Sequence, residues 1–364
     1  MIKLKRLKIM LVAVFIVVSF FLLQRLLMPK YVHDIVEGSL IETYYQETTP
    51  HDVIFVGDCE VYECFSPITL WNEYGITSFI RGSAQQLIWQ SYYLMEETLA
   101  YEKPKVFVYN VLAMKYNEPQ KEAYNRLTLD GMRFSMTKIK AVRASMLEDE
   151  HLIEYIFPIL RYHSRWSELT RDDVQYLFNK KPLFHNGYAM RVDVRPATTI
   201  PKGKKLPDYR FGDTAYHYLD RMVALCDEND IELVLIKAPT LYPYWYDEWD
   251  EQIRDYANQH DLLYINFLDL TDEVGLDYGL DTYDGGLHMN LSGAEKLSHY
   301  LGPVLQETCH LTDHRGDAEL DAIWKEKTAF YHQMKAEQEA ELKQYGYLKS
   351  MGARPTDENQ EERE

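Results

Sequence analysis

Cysteine is scarce in this chain, with 4 in 364 residues, and none stands in a CxxC pair or at metal-ligand spacing from a histidine. That argues against a structural zinc site. Basic residues are also few: 39 Lys and Arg against 57 Asp and Glu give a formal net charge of -18. Phosphate backbones are held by concentrated Lys and Arg, so nucleic acid is not an expected partner. Glycines are missing where a dinucleotide would need them, because Gly57 is not followed by the rest of a GxGxxG fingerprint. Neither a nucleotide nor any other cofactor is implied, and no metal is.

Long apolar runs are confined to the first thirty residues, MIKLKRLKIMLVAVFIVVSFFLLQRLLMPK. Lys3, Lys5, Arg6 and Lys8 precede an apolar stretch from Ile9 to Leu23, which Leu26, Leu27 and Met28 extend. A signal peptide shares the charged start, but no small-x-small cleavage site follows and the run is long for a signal. Residues 1–30 therefore read as a cytoplasmic basic flank and an uncleaved transmembrane anchor. The expected location is the cell membrane, single-pass, with the globular part outside the cytoplasm.

Beyond a linker at 31–50, the chain is long enough, at 46% hydrophobic, to bury one large core. DVIFVG (52–57) reads as a buried strand, SFI (78–80) as a second, and PKVFVYNVLAM supplies a third from Lys105. PITLWNEYG between the first two reads as a helix stopped by Gly75, and Gln85–Tyr101 as another helix. The alternation breaks at 115–214, the size of an inserted subdomain, helical at first and then rich in turn residues. It resumes with a helix at 215–228, a strand at 231–237, a helix at 247–259 and a strand at 262–268. About five strands alternating with helices predict an α/β fold, a flavodoxin-like doubly wound parallel sheet with a mainly helical insertion. The domain spans 51–310, and 311–364 reads as a charged helical tail, solvated or docking a partner, with a disordered end.

Ligands of such sheets gather outside the carboxyl ends of the strands. That rule collects Cys59 after the first strand, Gly82 and Ser83 after the second, Asn110 at the end of the third, and Lys237 to Thr240 after the fourth. DTYDGGLHMN adds Asp281, Asp284 and His288. A thiol, an imidazole and carboxylates on one rim form a nucleophile-and-base constellation in outline. Arg81 and Lys237 stand near enough to meet an anionic glycan or phosphate, though surface ion pairs are the commoner fate of such residues. A disulfide between Cys59 and Cys64 is the alternative that would remove the thiol.

At these residues the chain resembles the SGNH or GDSL hydrolase family. Gly57, Asp58 and Cys59 resemble that family's Gly-Asp-Ser block, with cysteine in place of the nucleophilic serine. Gly82 stands where the family has an oxyanion-hole glycine, Asn110 where it has an asparagine, and Asp284 with His288 resembles its Asp-x-x-His block, one residue too widely spaced. The likeness covers roughly residues 50–305, with the insertion outside it. It implies acyl transfer with Cys59 as nucleophile, His288 as base, Asp284 or Asp281 orienting the imidazole, and the Cys59 and Gly82 N–H groups with the Asn110 side chain facing the oxyanion. Glu60, beside the thiol, would oppose its ionisation. With the anchor, the chain looks closest to membrane-attached members that acylate cell-envelope polymers.

Two functions are therefore expected. One is an extracytoplasmic esterase or O-acyltransferase acting on a cell-envelope glycan or acylated polymer. The other is a catalytically silent scaffold that binds a glycan or a membrane acyltransferase.

Overall fold

The computed structural model of the chain describes residues 2–29, 39–178 and 185–351. Residues 31–38 of the expected linker, 179–184 of the insertion and the polar end from 352 lie outside the described residues.

Five short strands form the sheet: β1 (Val53–Gly57), β2 (Ser78–Gly82), β3 (Val106–Asn110), β4 (Glu232–Lys237) and β5 (Leu263–Asn266). All pairings are parallel and the order is β2-β1-β3-β4-β5, so the doubly wound flavodoxin-like sheet expected from the alternation is present. Successive side chains of a strand point to opposite faces. Ile54 and Val56 of β1 accordingly enter one core, with the helices Ile88–Thr98 and Asp213–Asn229. Val53 and Phe55 enter the other, with Pro67–Tyr74 and Leu291–Thr308. Burial on both faces is why these strands read as continuous apolar runs.

Local signals explain the helix bounds. Ser66 caps Pro67–Tyr74 by accepting from the Thr69 N–H, proline opens the helix, and Gly75 ends it in the left-handed conformation at φ 67°. Asn290 caps Leu291–Thr308 through the Gly293 N–H, which fixes the chain just after His288.

Two expectations need revision, and the insertion gains a role not expected of it. The linker at 31–50 is part of the domain from residue 39: Ser39–Thr43 is a helical turn whose Ile41, with the following Tyr44, is buried in the core. The tail helix, Ala318–Tyr345, is docked rather than solvated, since Trp324, Tyr331 and Gln338 recur every seven residues and are buried. Trp324 stacks on Trp71 at 5.0 Å between ring centroids, a gain in apolar burial that the charged composition of the helix concealed. The insertion, finally, closes an edge of the sheet: Asn186 O accepts from the Ile80 N–H of β2 at 2.9 Å, satisfying an edge strand that would otherwise offer unpaired groups.

Candidate active site

Strand order reverses at β1, whose neighbours are β2 on one side and β3 on the other. The carboxyl end of β1 therefore opens on the crevice where ligands of such sheets bind. Gly57 makes the exit. Its φ of +153° is one that side chains rarely adopt, and an added Cβ would lie 2.5 Å from Val61 Cγ2. Asp58 then accepts from the Glu60 N–H and starts the single helical turn Cys59–Tyr62. From His51 to Trp71 every residue is buried except Cys59, which is partly open to solvent. All four cysteines are free, so no bond to Cys64 removes the thiol.

His288 arrives from the other side of the crevice, on the segment before the helix Leu291–Thr308. Its Nδ1 is 2.6 Å from Asp284 Oδ2, and its own N–H donates to Asp284 Oδ1 at 2.8 Å. One carboxylate thus fixes both ring and backbone, across a spacing one residue wider than Asp-x-x-His. The two glycines between them, Gly285 and Gly286, take φ of +88° and +103° and let the extra residue fold away. Asp281 is engaged elsewhere, buried with Lys296 Nζ at 2.6 Å and the Asp277 N–H at 2.8 Å.

Two residues that the motif reading did not name complete this group. Glu63 Oε2 lies 3.1 Å from His288 Nδ1, and the Tyr283 hydroxyl donates to the same oxygen at 2.7 Å. Both had a signal in the sequence: Glu63 is one helical turn beyond Cys59, and Tyr283 adjoins Asp284. Three oxygens surround Nδ1, so Nε2 is the ring nitrogen left for the thiol, and it has no hydrogen-bond partner among the described residues.

Burial and neighbouring charge together set the titration of this pair. Burial pushes the Cys59 thiol up to about 11, with Asp58 and Glu63 adding to the rise, while the nearby charge of His288 pulls it down. Burial works to lower His288, but Glu63, Cys59 and Asp284 outweigh it and hold the imidazole well above its usual range. Burial and then Asp284 raise Glu63, against the imidazole. Glu60, expected to oppose the thiol, faces the other way.

Glu60 belongs to a second cluster beneath the turn. Lys237 Nζ reaches both Glu60 carboxylate oxygens, at 2.9 and 3.0 Å, and the Ala238 carbonyl at 2.6 Å. The Thr240 hydroxyl donates to Glu60 as well. Asn110 is at the expected strand end, but its amide is fully engaged: Nδ2 donates to Asp58 Oδ1 at 3.1 Å and Glu60 Oε2 at 2.8 Å, and Oδ1 accepts from the Ala238 N–H at 3.1 Å. The hydrogens expected to face an oxyanion are both donated to carboxylates. Gly82 pairs in register with Gly57, and a Cβ there would come within 3.1 Å of Gly57 O and 3.2 Å of Tyr62 Cδ1. It therefore lies against the turn that carries Cys59.

Arg81 and Lys237 are not placed to meet an anionic ligand. Both are fully buried, Arg81 against Glu97 and Lys237 against Glu60.

No protein-family model and no curated protein matches the chain. Among solved structures, a proposed acylhydrolase from Bacteroides fragilis is similar at 11% identity and a TM-score of 0.36, over 77% of this chain and 99% of that one. A GDSL-like lipase from Bacteroides thetaiotaomicron is similar at 12% identity and a TM-score of 0.34, over 74% and 99% of the two chains. At TM-scores this low, neither likeness bears on what the present chain does.

Proposed function

We propose that the chain is an acyl-ester hydrolase or O-acyltransferase of SGNH type, held on a membrane by its N-terminal helix with the globular domain outside the cytoplasm, and acting on a cell-envelope glycan or polymer. One observation carries the chemical part. The only solvent-reaching residue in a buried strand and turn is a thiol, and the ring nitrogen left to meet it has no hydrogen-bond partner among the described residues, on an imidazole fixed at its other nitrogen by Asp284. The membrane part rests on the helix Ile2–Leu27, in which Lys5–Leu27 is long and apolar enough to span a bilayer, and on the basic residues that precede the apolar run.

In this reading Cys59, as thiolate, attacks the ester carbonyl. The bond to the alcohol oxygen breaks, His288 gives its proton to the departing alkoxide, and an acyl thioester remains on Cys59. Water or an acceptor hydroxyl, giving its proton to His288, then attacks the thioester and releases the thiolate. The Cys59 and Gly82 N–H groups are assigned to the oxyanion. Asn110 is a positioning residue, holding Asp58 and Glu60 on either side of the nucleophile. A second reading, a silent scaffold that binds a glycan or a membrane acyltransferase, is favoured by the high titration point of the thiol.

Full-length protein in detergent micelles, treated with p-nitrophenyl acetate and followed by peptide mass spectrometry, separates the two. Acetylation at Cys59 that disappears in His288→Ala supports the enzyme. Acetylation indifferent to His288, or none at Cys59, leaves the scaffold.

A further inference from the structure

The segment from Leu152 to Ser167 is built inside out. Its helical turns Leu152–Ile156 and Ile159–Tyr162 and the turn His163–Ser167 direct their polar-tipped aromatics inward. Tyr155 and Tyr162 pack over the buried Arg126 guanidinium at 4.0 and 5.5 Å, and the Tyr162 hydroxyl donates to Asp130 at 2.6 Å. Ile153, Phe157, Leu160 and Trp166 point outward and are exposed, Trp166 to 72%, and Val174 of the next helix joins them. A water-facing helix keeps its large apolar side chains inward, and several of them exposed on one short segment mark a surface with a partner.

The neighbour of this face identifies the partner. The N-terminal helix packs against Ile159–Tyr162 and Arg171–Phe178, and Arg165 Nη1 donates to the Leu27 carbonyl at its end, at 2.7 Å. Farther along the helix, the Phe20 and Phe157 rings meet edge to face at 6.1 Å. Phe20 lies seven residues before Leu27, about 10 Å along the axis. The 23-residue span Lys5–Leu27 is about 34 Å long, against a hydrocarbon core of about 30 Å. Whatever bilayer surrounds Phe20 must therefore also surround Phe157.

We infer that this outward face is a second membrane contact: Phe157 and Leu160 enter the acyl chains of the leaflet next to the globular domain, and Trp166 lies at its headgroup boundary. The inference rests on the reading that the N-terminal helix spans a membrane. An interfacial aromatic beside arginines fits that depth, with Arg161 and Arg165 flanking the face. A single helix would tether the domain on a swivel, whereas two contacts fix its tilt, so that the crevice beside Cys59 keeps a constant height above the bilayer.

The test uses the full chain in phosphatidylcholine and phosphatidylglycerol vesicles, with and without dibrominated acyl chains. Trp166 emission is isolated as the difference between wild type and Trp166→Phe, and alkaline carbonate extraction is run on the same vesicles. The expected result is a carbonate-resistant chain whose Trp166 emission is mostly lost to the brominated lipid. A carbonate-resistant chain with unquenched Trp166 overturns the second contact and leaves the anchor standing. Extraction by carbonate overturns both. Phe157→Asp with Leu160→Asp provides an independent check: Trp166 should escape quenching while the chain stays carbonate-resistant, and unchanged quenching would overturn the contact through Phe157 and Leu160.

Discussion

Two polar clusters flank Cys59, and they are built to opposite specifications. Beneath the turn, Asp58, Glu60, Asn110, Lys237 and Thr240 are sealed from water, and the Asn110 amide and Lys237 ammonium are engaged on every side. Across the crevice, Tyr283, Asp284 and His288 are partly open to solvent, and the imidazole keeps one nitrogen without a hydrogen-bond partner among the described residues. Glu60 goes down into the first and Glu63, one turn away, across to the second. A fully satisfied network holds a backbone in place, whereas an incomplete one retains a valence for a reactant. The sealed cluster thus secures the turn, and the open one is where a proton can move.

The largest expected effect breaks the sealed cluster. Lys237→Met leaves Glu60 as an uncompensated buried carboxylate, and loss of one partner of such a pair costs about 3–5 kcal/mol. Urea denaturation of the full chain should show that loss, and a double variant with Glu60→Gln should recover most of it. Glu63→Gln should be nearly neutral in the same measurement, because burial already raises Glu63 and disfavours its charge. Equal costs for the two would mean that the clusters do not differ in the way described.

A pH scan sharpens the contrast. Burial, then Glu60, push Asp58 up to about 7, with Lys115 and Lys237 opposing. A carboxyl raised above its unfolded value binds its proton more tightly when folded. Its contribution to stability is then complete below about 4 and is lost as pH rises through about 7. The wild-type melting temperature should fall between pH 5 and pH 8, and Asp58→Asn should flatten that fall. An unchanged slope in the variant would assign the effect to other groups.

The open cluster is read by reactivity. Alkylation of Cys59 by iodoacetamide should climb with pH toward about 11, the titration point that burial imposes. Since the His288 charge pulls that point down, His288→Ala should raise it and slow alkylation near pH 8 by about tenfold, the effect of one unit. An unchanged rate would separate the ring from the thiol.

Much of this was legible because it is local. The apolar runs gave all five strands, and the family-like blocks at Gly57–Cys59 and Asp284–His288 pointed to the two sides of the crevice. What escaped depends on distant partners. Lys237 at the end of a strand reads as a surface cation, and its burial follows only from Glu60, 177 residues away. Asn110 likewise sits where an oxyanion donor would, and its engagement is fixed by two carboxylates on another strand's turn. The docked segments lay between these extremes: Ile41 and Tyr44 on one helical turn, and Trp324, Tyr331 and Gln338 at sevenfold spacing, are amphipathic patterns that acidic neighbours obscured.

The smallest expected effect tests whether the open cluster acts as a unit. Tyr283 donates to Glu63 at 2.7 Å, its hydroxyl lies 3.3 Å from His288 Nδ1, and its ring stacks on the imidazole at 5.8 Å with a 15° tilt. Tyr283→Phe keeps the stacked ring and removes only the hydroxyl. One hydrogen bond is worth about 1 kcal/mol, so acetylation of Cys59 by p-nitrophenyl acetate should slow by about fivefold. Glu63, losing a donor that holds it down, should titrate higher still. With Glu63 protonated over a wider range, one of the carboxylates that raise His288 is neutralised, so the imidazolium should lose its proton at a lower pH and the rate, which needs that charged ring beside the thiolate, should begin to fall earlier. A slower rate with an unshifted pH profile would reduce Tyr283 to packing and leave Asp284 alone in control of the ring.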